Sequence, residues 1–223
     1  MVKFIQIIKL KSLSVIVLSA CFIVALFCAY YLMSSDGEKE KKPHTLRVGK
    51  HLFEIPRDYV WGYNRGKDGI AVGANMRALY PGFEPETRHN KDEFEKGGWA
   101  NGRLILFSID DTKATISTSD IIARYLREAR ETGSYRQEGD FYMYPVRDKK
   151  SELILTTLNG ENDIYFYCNK DDSVPAPSCN TRVAFTSDMY IYLVFPKTLL
   201  PQWQTLSTDL RQLVDSFHIK QLN

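Results

Sequence analysis

The strongest constraint on this chain is an uncharged, strongly apolar run of 21 residues at positions 13–33. A helix rises about 1.5 Å per residue, so a run of this length spans roughly 31 Å, which matches the hydrocarbon core of a bilayer. No second run of this kind occurs in the sequence. We therefore predict one transmembrane anchor over residues 13–33, followed by a hydrophilic body.

The charges on either side of this run predict its orientation. Residues 1–12 carry three lysines and no acidic residue, and basic flanks stay on the cytoplasmic side of a membrane. Residues 34–43 interleave acids with lysines, which is typical of a solvated linker. The sequence thus predicts a cytoplasmic tail (1–12), an anchor (13–33), a charged linker (34–43) and a periplasmic domain (44–223) of a single-pass protein of the bacterial inner membrane.

Two alternatives to an uncleaved anchor stay open. A cleaved signal peptide would need a small-x-small cleavage site, but Leu18 and Phe27 occupy positions where the first small residue would stand. Residues 18–21 (LSAC) resemble a bacterial lipobox, in which Cys21 would be lipidated and become the mature N-terminus. The sequence stays apolar after Cys21, where a lipoprotein normally turns polar, and this favours the single-pass anchor.

The net charge limits the classes of partner and reaction. The whole chain is formally +2, and three of its 29 basic residues precede the anchor, so the remainder is near −1. Nucleic-acid binding usually requires a basic face, so we exclude a nucleic-acid partner. The sequence contains no nucleophile elbow, phosphate loop or dinucleotide fingerprint. We therefore expect no enzymatic activity, no cofactor and no bound metal.

Cys168 and Cys179 are the only cysteines outside the apolar run. They flank a polar loop that contains proline, and strand-like segments lie on both sides of it. The rival interpretations are a metal pair, which the absence of a nearby histidine disfavours, and a reactive thiol. In an oxidising compartment we predict a disulfide, which stabilises by about 3 kcal/mol in the chain-entropy model.

The pattern after the linker predicts an α+β domain with an antiparallel sheet and helices packed on one face. A strand–turn–strand unit is expected over residues 45–56, and two glycine-rich or irregular regions follow at 62–75 and 76–100. Further strands are predicted at 102–108, 140–146, 151–158, 162–168, 181–187 and 189–195. Tight turns between consecutive strands, such as Asn159-Gly160, predict a meander.

Two helices are predicted from apolar spacing. One spans residues 121–131, after an N-cap signal at 118–120, and ends at Gly133. The other begins at Pro201 and runs for about 17 residues. Its apolar stripe is typical of a helix face that packs on a core, and it consists of Trp203, Leu206, Leu210, Leu213, Val214 and Phe217.

Residues 76–100 combine aromatic and charged side chains in a long irregular segment. Such segments are often functional, and aromatic anchors rimmed with charge are typical of protein interfaces. The alternative is that Tyr80, Phe83 and Trp99 pin the segment to the core. His89 lies near several acids, but their spacing matches no metal motif. The candidate partner-binding residues are Tyr80, Phe83, Glu84, Glu86, Arg88, His89, Asp92, Glu93 and Trp99.

The layout of basic tail, anchor, charged linker and compact domain resembles membrane-anchored periplasmic immunity proteins of bacterial toxin systems, including those of type VI secretion. The segment at residues 78–85 (ALYPGFEP), followed by Gly98-Trp99, carries the rest of the resemblance. The resemblance implies a domain that binds a toxic effector delivered to the envelope and inhibits it. The competing hypothesis is a structural or scaffold component of an envelope complex.

Overall fold

The computed structural model describes residues 42–62, 69–71, 73–97, 99, 101–111, 117–132, 135–147, 150–158 and 162–222. The predicted tail, the anchor, the lipidated Cys21, most of the linker and the turn at Asn159-Gly160 lie outside these residues. Among the described residues, no helix has the length and apolarity needed to cross a membrane. One compact unit spans Lys42–Asn223.

An eight-stranded antiparallel sheet forms the centre of this unit. Its strands are β4 (Gly73–Leu79), β5 (Leu104–Asp111), β6 (Arg136–Glu138), β7 (Phe141–Pro145), β8 (Ser151–Leu158), β9 (Asn162–Asn169), β10 (Ser178–Thr186) and β11 (Met189–Pro196). The spatial order is β4-β5-β11-β10-β9-β8-β7-β6. Strands β7 to β11 thus form the predicted meander, β6 extends it at one edge, and β5 pairs with β11 across a long stretch of sequence.

A smaller sheet of four strands packs against the large one. It contains β1 (His44–Val48), β2 (His51–Ile55), β3 (Gly69–Ala71) and β12 (His218–Gln221), in the order β12-β2-β1-β3. The predicted strand–turn–strand unit is the antiparallel β1–β2 pair, and its turn uses Gly49 at a φ of 56°, which favours glycine. β3 pairs with β1 in parallel.

In the part of the chain that the structure describes, two α-helices complete the domain: α1 (Thr118–Thr132) and α2 (Trp203–Phe217). The α1 N-terminus is capped by Ser117, whose hydroxyl accepts a hydrogen bond of 3.1 Å from the backbone N–H of Asp120. A 3₁₀ segment, Lys197–Gln202, leads into α2. The predicted stripe of α2 is confirmed, because Trp203, Leu206, Leu210, Val214 and Phe217 are buried.

The two helices pack on opposite faces of the eight-stranded sheet, so the prediction of one shared face is wrong. Neighbouring residues of a strand point to opposite faces. In β9, the Phe166 ring lies 5.5 Å from the Trp203 ring of α2, whereas the next residue, Tyr167, stacks on Tyr125 of α1 at 5.1 Å. Both faces are covered, so the strands carry continuous apolar runs that do not reveal which helix lies on which side.

The main core lies between α2, the four-stranded sheet and one face of the large sheet. A second cluster joins α1 to β8 and β9 through Ile122, Leu153, Leu155 and Tyr165. A third packs Phe94 against Leu79 and Leu104, which are opposite each other on β4 and β5. The second and third clusters share the face of the sheet that is opposite to α2.

Part of the region predicted to be irregular forms strands. Gly69–Ala71 is β3, and β4 begins at Gly73 and extends to Leu79. Glycine is depleted in strands, which concealed this pairing in the sequence. Gly73 allows a close approach, because a Cβ at this position would lie 2.3 Å from Oδ1 of Asp110 on the neighbouring strand.

The predicted disulfide between Cys168 and Cys179 is confirmed. The two residues are directly opposite on β9 and β10, and both are fully buried. The paired register of these strands comprises only Cys179 with Cys168 and Asn180 with Tyr167. The covalent bond therefore reinforces a short ladder in the middle of the sheet.

Replacing Cys168 and Cys179 together with alanine should lower the free energy of unfolding by about 3 kcal/mol, because the unfolded chain gains the freedom of an open loop. Urea unfolding of the purified protein measures this loss. Dithiothreitol should destabilise the parent protein to a similar extent and leave the double variant unchanged. Equal urea midpoints for parent and variant would contradict the prediction.

Candidate functional site

A cleft of about 250 Å³ opens on the face of the eight-stranded sheet that carries α1. Its lining combines one helix with three strands that are separate in sequence: Ile121, Arg124 and Tyr125 from α1, Tyr165 from β9, Asn180 and Arg182 from β10, and Tyr192 from β11. Tyrosine and arginine are among the residue types most enriched at the energetic centres of protein interfaces.

Strand register builds the floor of this cleft. Tyr192 is opposite Arg182 on one side and Ser108 on the other. Directly paired residues of antiparallel strands point to the same face, so these three side chains share the face of α1. Tyr190 and Asp110, two residues along their strands and paired with each other, lie on this face as well.

Arg182 is held in place by an aromatic ring. Its guanidinium carbon lies 4.6 Å from the centroid of the Tyr190 ring, which is a cation–π geometry. Its positive charge also acts on Asp110 and Tyr165, where it opposes the effect of burial on their ionisation. Arg182 is thus a fixed cation in the centre of the sheet face.

The hydroxyls of Tyr165 and Tyr192 in the cleft stay neutral at physiological pH. Burial raises the pKa of Tyr165 to about 12, although the charge of Arg182 opposes the shift. Burial also raises the pKa of Tyr192, and the neighbouring Tyr125 adds to this effect. These hydroxyls therefore serve as hydrogen-bond donors and acceptors rather than as bases.

Asp110 is the acidic group next to Arg182 on this face. Burial raises the pKa of its carboxyl, while a 2.6 Å hydrogen bond from the Ser108 hydroxyl and the charge of Arg182 partly offset the shift. A raised folded-state pKa means that the protonated form favours folding. The contribution of Asp110 to folding stability is therefore fully present below the pKa of this group in the unfolded state, and it is lost as the pH rises through its pKa in the folded state.

The aromatic members of the sequence-predicted site lie largely in the interior. Tyr80 and Phe83 are only 7% and 5% exposed, and their rings pack edge to face at 5.8 Å. Trp99 is half-buried against the cluster of Leu79, Phe94 and Leu104. In the structure these rings attach the segment to the sheet, as in the alternative interpretation of the sequence.

Several charged members of that set form ion pairs with the body of the domain. Arg103 donates to Glu93 at 2.7 Å and lies 3.4 Å from Glu84, and Arg77 pairs with Glu86. The exposed members are Glu84, Arg88, His89 and Asp92. A partner-binding role for this segment stays a prediction.

The predicted segment and the cleft share one face of the sheet. Phe94 packs over Leu104, and Leu104 and Ser108 lie four residues apart on β5 and so point to the same side. Sequence reasoning missed the cleft because its residues come from four separate elements. The alternating tyrosines of β9 (165, 167) and β11 (190, 192) were the available signal.

A buried polar network lies at the junction of the two sheets. His51, 1% exposed, places Nδ1 at 3.0 Å from Nε2 of His218 and Nε2 at 3.0 Å from Oδ1 of Asp188. Hydrogen bonds from Thr186 and His51 lower the pKa of Asp188, against a smaller effect of burial. His51 thus has the hydrogen-bonded structural role expected of a strand histidine. Over the described ranges, no cluster of three or more His, Cys, Asp or Glu residues could hold a metal ion.

Replacing His51 with phenylalanine should lower the free energy of unfolding by about 1–3 kcal/mol, because His218 and Asp188, both partly buried, each lose a hydrogen bond. Thermal unfolding followed by circular dichroism measures the change. The control is His89→Phe, since His89 is exposed and its side chain is not part of this network. Equal destabilisation by the two substitutions would contradict the structural role of His51.

Comparison with solved structures shows what this fold is similar to. An immunity protein of the Stenotrophomonas maltophilia type IV secretion system matches with a TM-score of 0.57 and 12% identity, over 80% of this chain and 94% of that chain. The iron-regulated outer membrane lipoprotein FrpD of Neisseria meningitidis matches with a TM-score of 0.47 and 13% identity, over 80% and 93%. No protein-family model and no curated protein sequence matches the chain. The fold of this chain is therefore similar to that of an immunity protein from a type IV system, and the type VI part of the predicted resemblance has no support from these comparisons.

Proposed function

We propose that this domain binds and neutralises a toxic effector in the bacterial envelope. The observation that carries the proposal is the cleft lined by tyrosine and arginine, because these two residue types are enriched among the few residues that supply most of the binding energy in protein interfaces. Its position on a rigid sheet also suits tight binding, since little conformational freedom is lost on association. The fold shared with an immunity protein supports the same conclusion.

The proposal is one of binding rather than catalysis. A hydrolytic site needs an activated nucleophile with an adjacent base, or a metal-bound water. The cleft instead offers tyrosine hydroxyls whose pKa is raised by burial, and an arginine stacked on a ring. Such groups donate hydrogen bonds and pack against a partner but do not activate water.

We place the domain in the periplasm, tethered to the inner membrane by residues 13–33. The disulfide between Cys168 and Cys179 supports this location, because disulfides persist in oxidising compartments. An anchored inhibitor would lie next to the membrane or cell wall that a toxin attacks. The scaffold hypothesis places the same domain in an envelope complex and assigns an additional function to the anchor.

A competition experiment in the source bacterium tests the proposal. A strain lacking this chain and the toxin gene nearest to it is mixed with the toxin-producing parent, and survivors are counted over time. We expect the deletion strain to be killed by the parent and to survive when the parent lacks the ATPase of its toxin-secretion system. The full chain supplied in trans should restore survival.

Replacing residues 13–33 with an unrelated single-pass anchor separates the two hypotheses. An immunity protein should still protect, since only its location matters, whereas a scaffold that uses the anchor as a contact should lose its function. A defect of the deletion strain in monoculture, independent of secretion by the parent, would contradict the immunity proposal and favour the scaffold.

A further inference from the structure

We infer that the cleft takes a carboxylate side chain of the partner protein, held between Arg124 on α1 and Arg182 on β10. This inference rests on the proposed function and specifies its chemistry. Both arginines line the same cleft, one from the helix and one from the sheet. The recognition would resemble the two-sided arginine clamps that proteins use for carboxylates.

The charges of the cleft favour an acidic partner group. Arg124 is exposed at the rim, where it meets an approaching partner, and Arg182 is stacked on Tyr190 in the floor. Asp110 is the acid that acts on this floor, and it accepts a hydrogen bond of 2.6 Å from Ser108. As the structure describes it, the lining itself holds these two cations and no acid, while Asp120 and Glu128 lie one turn before and after Arg124 on α1.

The neutral polar groups complement a carboxylate as well. The hydroxyls of Tyr165 and Tyr192 lie in the lining, and Asn180 is fixed there by a 3.2 Å hydrogen bond from its amide nitrogen to the backbone oxygen of Tyr167. A carboxylate accepts up to about four hydrogen bonds, which these donors and two guanidinium groups can supply. An apolar side chain would instead bury the guanidinium groups without adding a hydrogen bond to them, and the two positive charges would repel a lysine.

The size of the cleft points to a side chain rather than a free small molecule. Its volume is about 250 Å³, whereas pockets for drug-sized ligands and cofactors usually occupy about 300–1,000 Å³. The tyrosine rings of α1, β9 and β11 would pack against the methylene groups of a glutamate or aspartate. The surrounding sheet face would contact the rest of the partner surface.

Charge variants of the full chain test the inference in the deletion strain. Each is expressed from an inducible promoter and challenged by the toxin-producing parent, and the inducer concentration for half-maximal survival is measured. We expect Arg124→Glu to weaken binding roughly 30-fold or more, and hence to raise this concentration at least about tenfold. Arg124→Lys keeps the positive charge but loses the planar fork, so it should protect better than Arg124→Gln, which in turn should protect better than Arg124→Glu.

The matched control is Arg211→Glu, which makes the same charge change at an exposed position of α2, on the other face of the sheet. It should protect as well as the parent chain. Immunoblots and the melting temperature of each purified full chain establish that the variants are folded and equally abundant. Arg124 is exposed, so no packing is lost.

Three results would overturn the inference, and they are distinguishable. Equal protection by Arg124→Glu, Arg211→Glu and the parent chain would exclude the carboxylate clamp while leaving the immunity function intact. Survival of the deletion strain without any copy of the chain would overturn the proposed function itself, and the clamp with it. Equal loss of protection by Arg124→Glu and Arg211→Glu would show a general charge effect and also exclude the clamp.

Discussion

Replacing Phe166 with alanine should lower the free energy of unfolding by about 3–5 kcal/mol, which is a large fraction of the roughly 5–15 kcal/mol that stabilises an ordinary domain. Phe166 is fully buried in the middle of β9. Its ring lies 5.5 Å from Trp203, 6.0 Å from Phe195 and 6.4 Å from Phe141. One side chain thus joins α2 to three strands, and its removal opens a cavity in the main core.

Urea unfolding followed by tryptophan fluorescence measures this effect, because Trp203 is in contact with the site. Phe166→Leu keeps most of the volume and should be much less destabilising. The control Tyr142→Ala removes another aromatic ring from an exposed position of β7, and its effect should stay below about 1 kcal/mol. Similar losses for Phe166→Ala and Tyr142→Ala would contradict the assigned core.

The sequence predicted the elements whose formation depends on residues close together in the chain. The stripe of α2 follows a helical period, so its buried face from Trp203 to Phe217 could be identified before the structure was known. The disulfide could be predicted because two strands and a loop surround its cysteines. β6 and β12 were missed because both are short edge strands that are mostly exposed and have no apolar alternation.

The functional face could not be predicted because it depends on strand order. β5 pairs with β11 rather than with a sequence neighbour, and only this pairing brings Asp110 near Tyr190 and Arg182. The link between His51 and His218 joins residues 167 positions apart. In both cases the contacts join residues that are far apart in the sequence, so a local sequence pattern cannot reveal them. The aromatic residues of 76–100, by contrast, are close together in the sequence, but the structure shows that they pack towards the interior.

A buried ion pair should give the second large effect: Lys197→Met should destabilise the protein by about 3 kcal/mol. The Lys197 Nζ lies 2.7 Å from Glu152 and 2.9 Å from Asp171, and the Glu152 side chain is only 4% exposed. Burial alone would lower the pKa of Lys197, but its hydrogen bonds to Glu152 and Asp171 outweigh burial and raise it. Without this cation, the Glu152 carboxylate stays in the interior with Arg136, at 3.2 Å, as its remaining described ion-pair partner.

A double-mutant cycle identifies the cause of this loss. Replacing both Lys197 and Glu152 with methionine removes the two charges together, and apolar replacements for whole buried pairs are often neutral or stabilising. The double variant should therefore be more stable than Lys197→Met alone, by at least about 1 kcal/mol in urea unfolding. If the destabilisations of the two single variants simply add, each loss comes from packing at its own position. Such a result would contradict the stabilisation of the Glu152 carboxylate by Lys197. A positive coupling would assign the loss to the unpaired carboxylate, which lies on the α2 face of the sheet and away from the cleft.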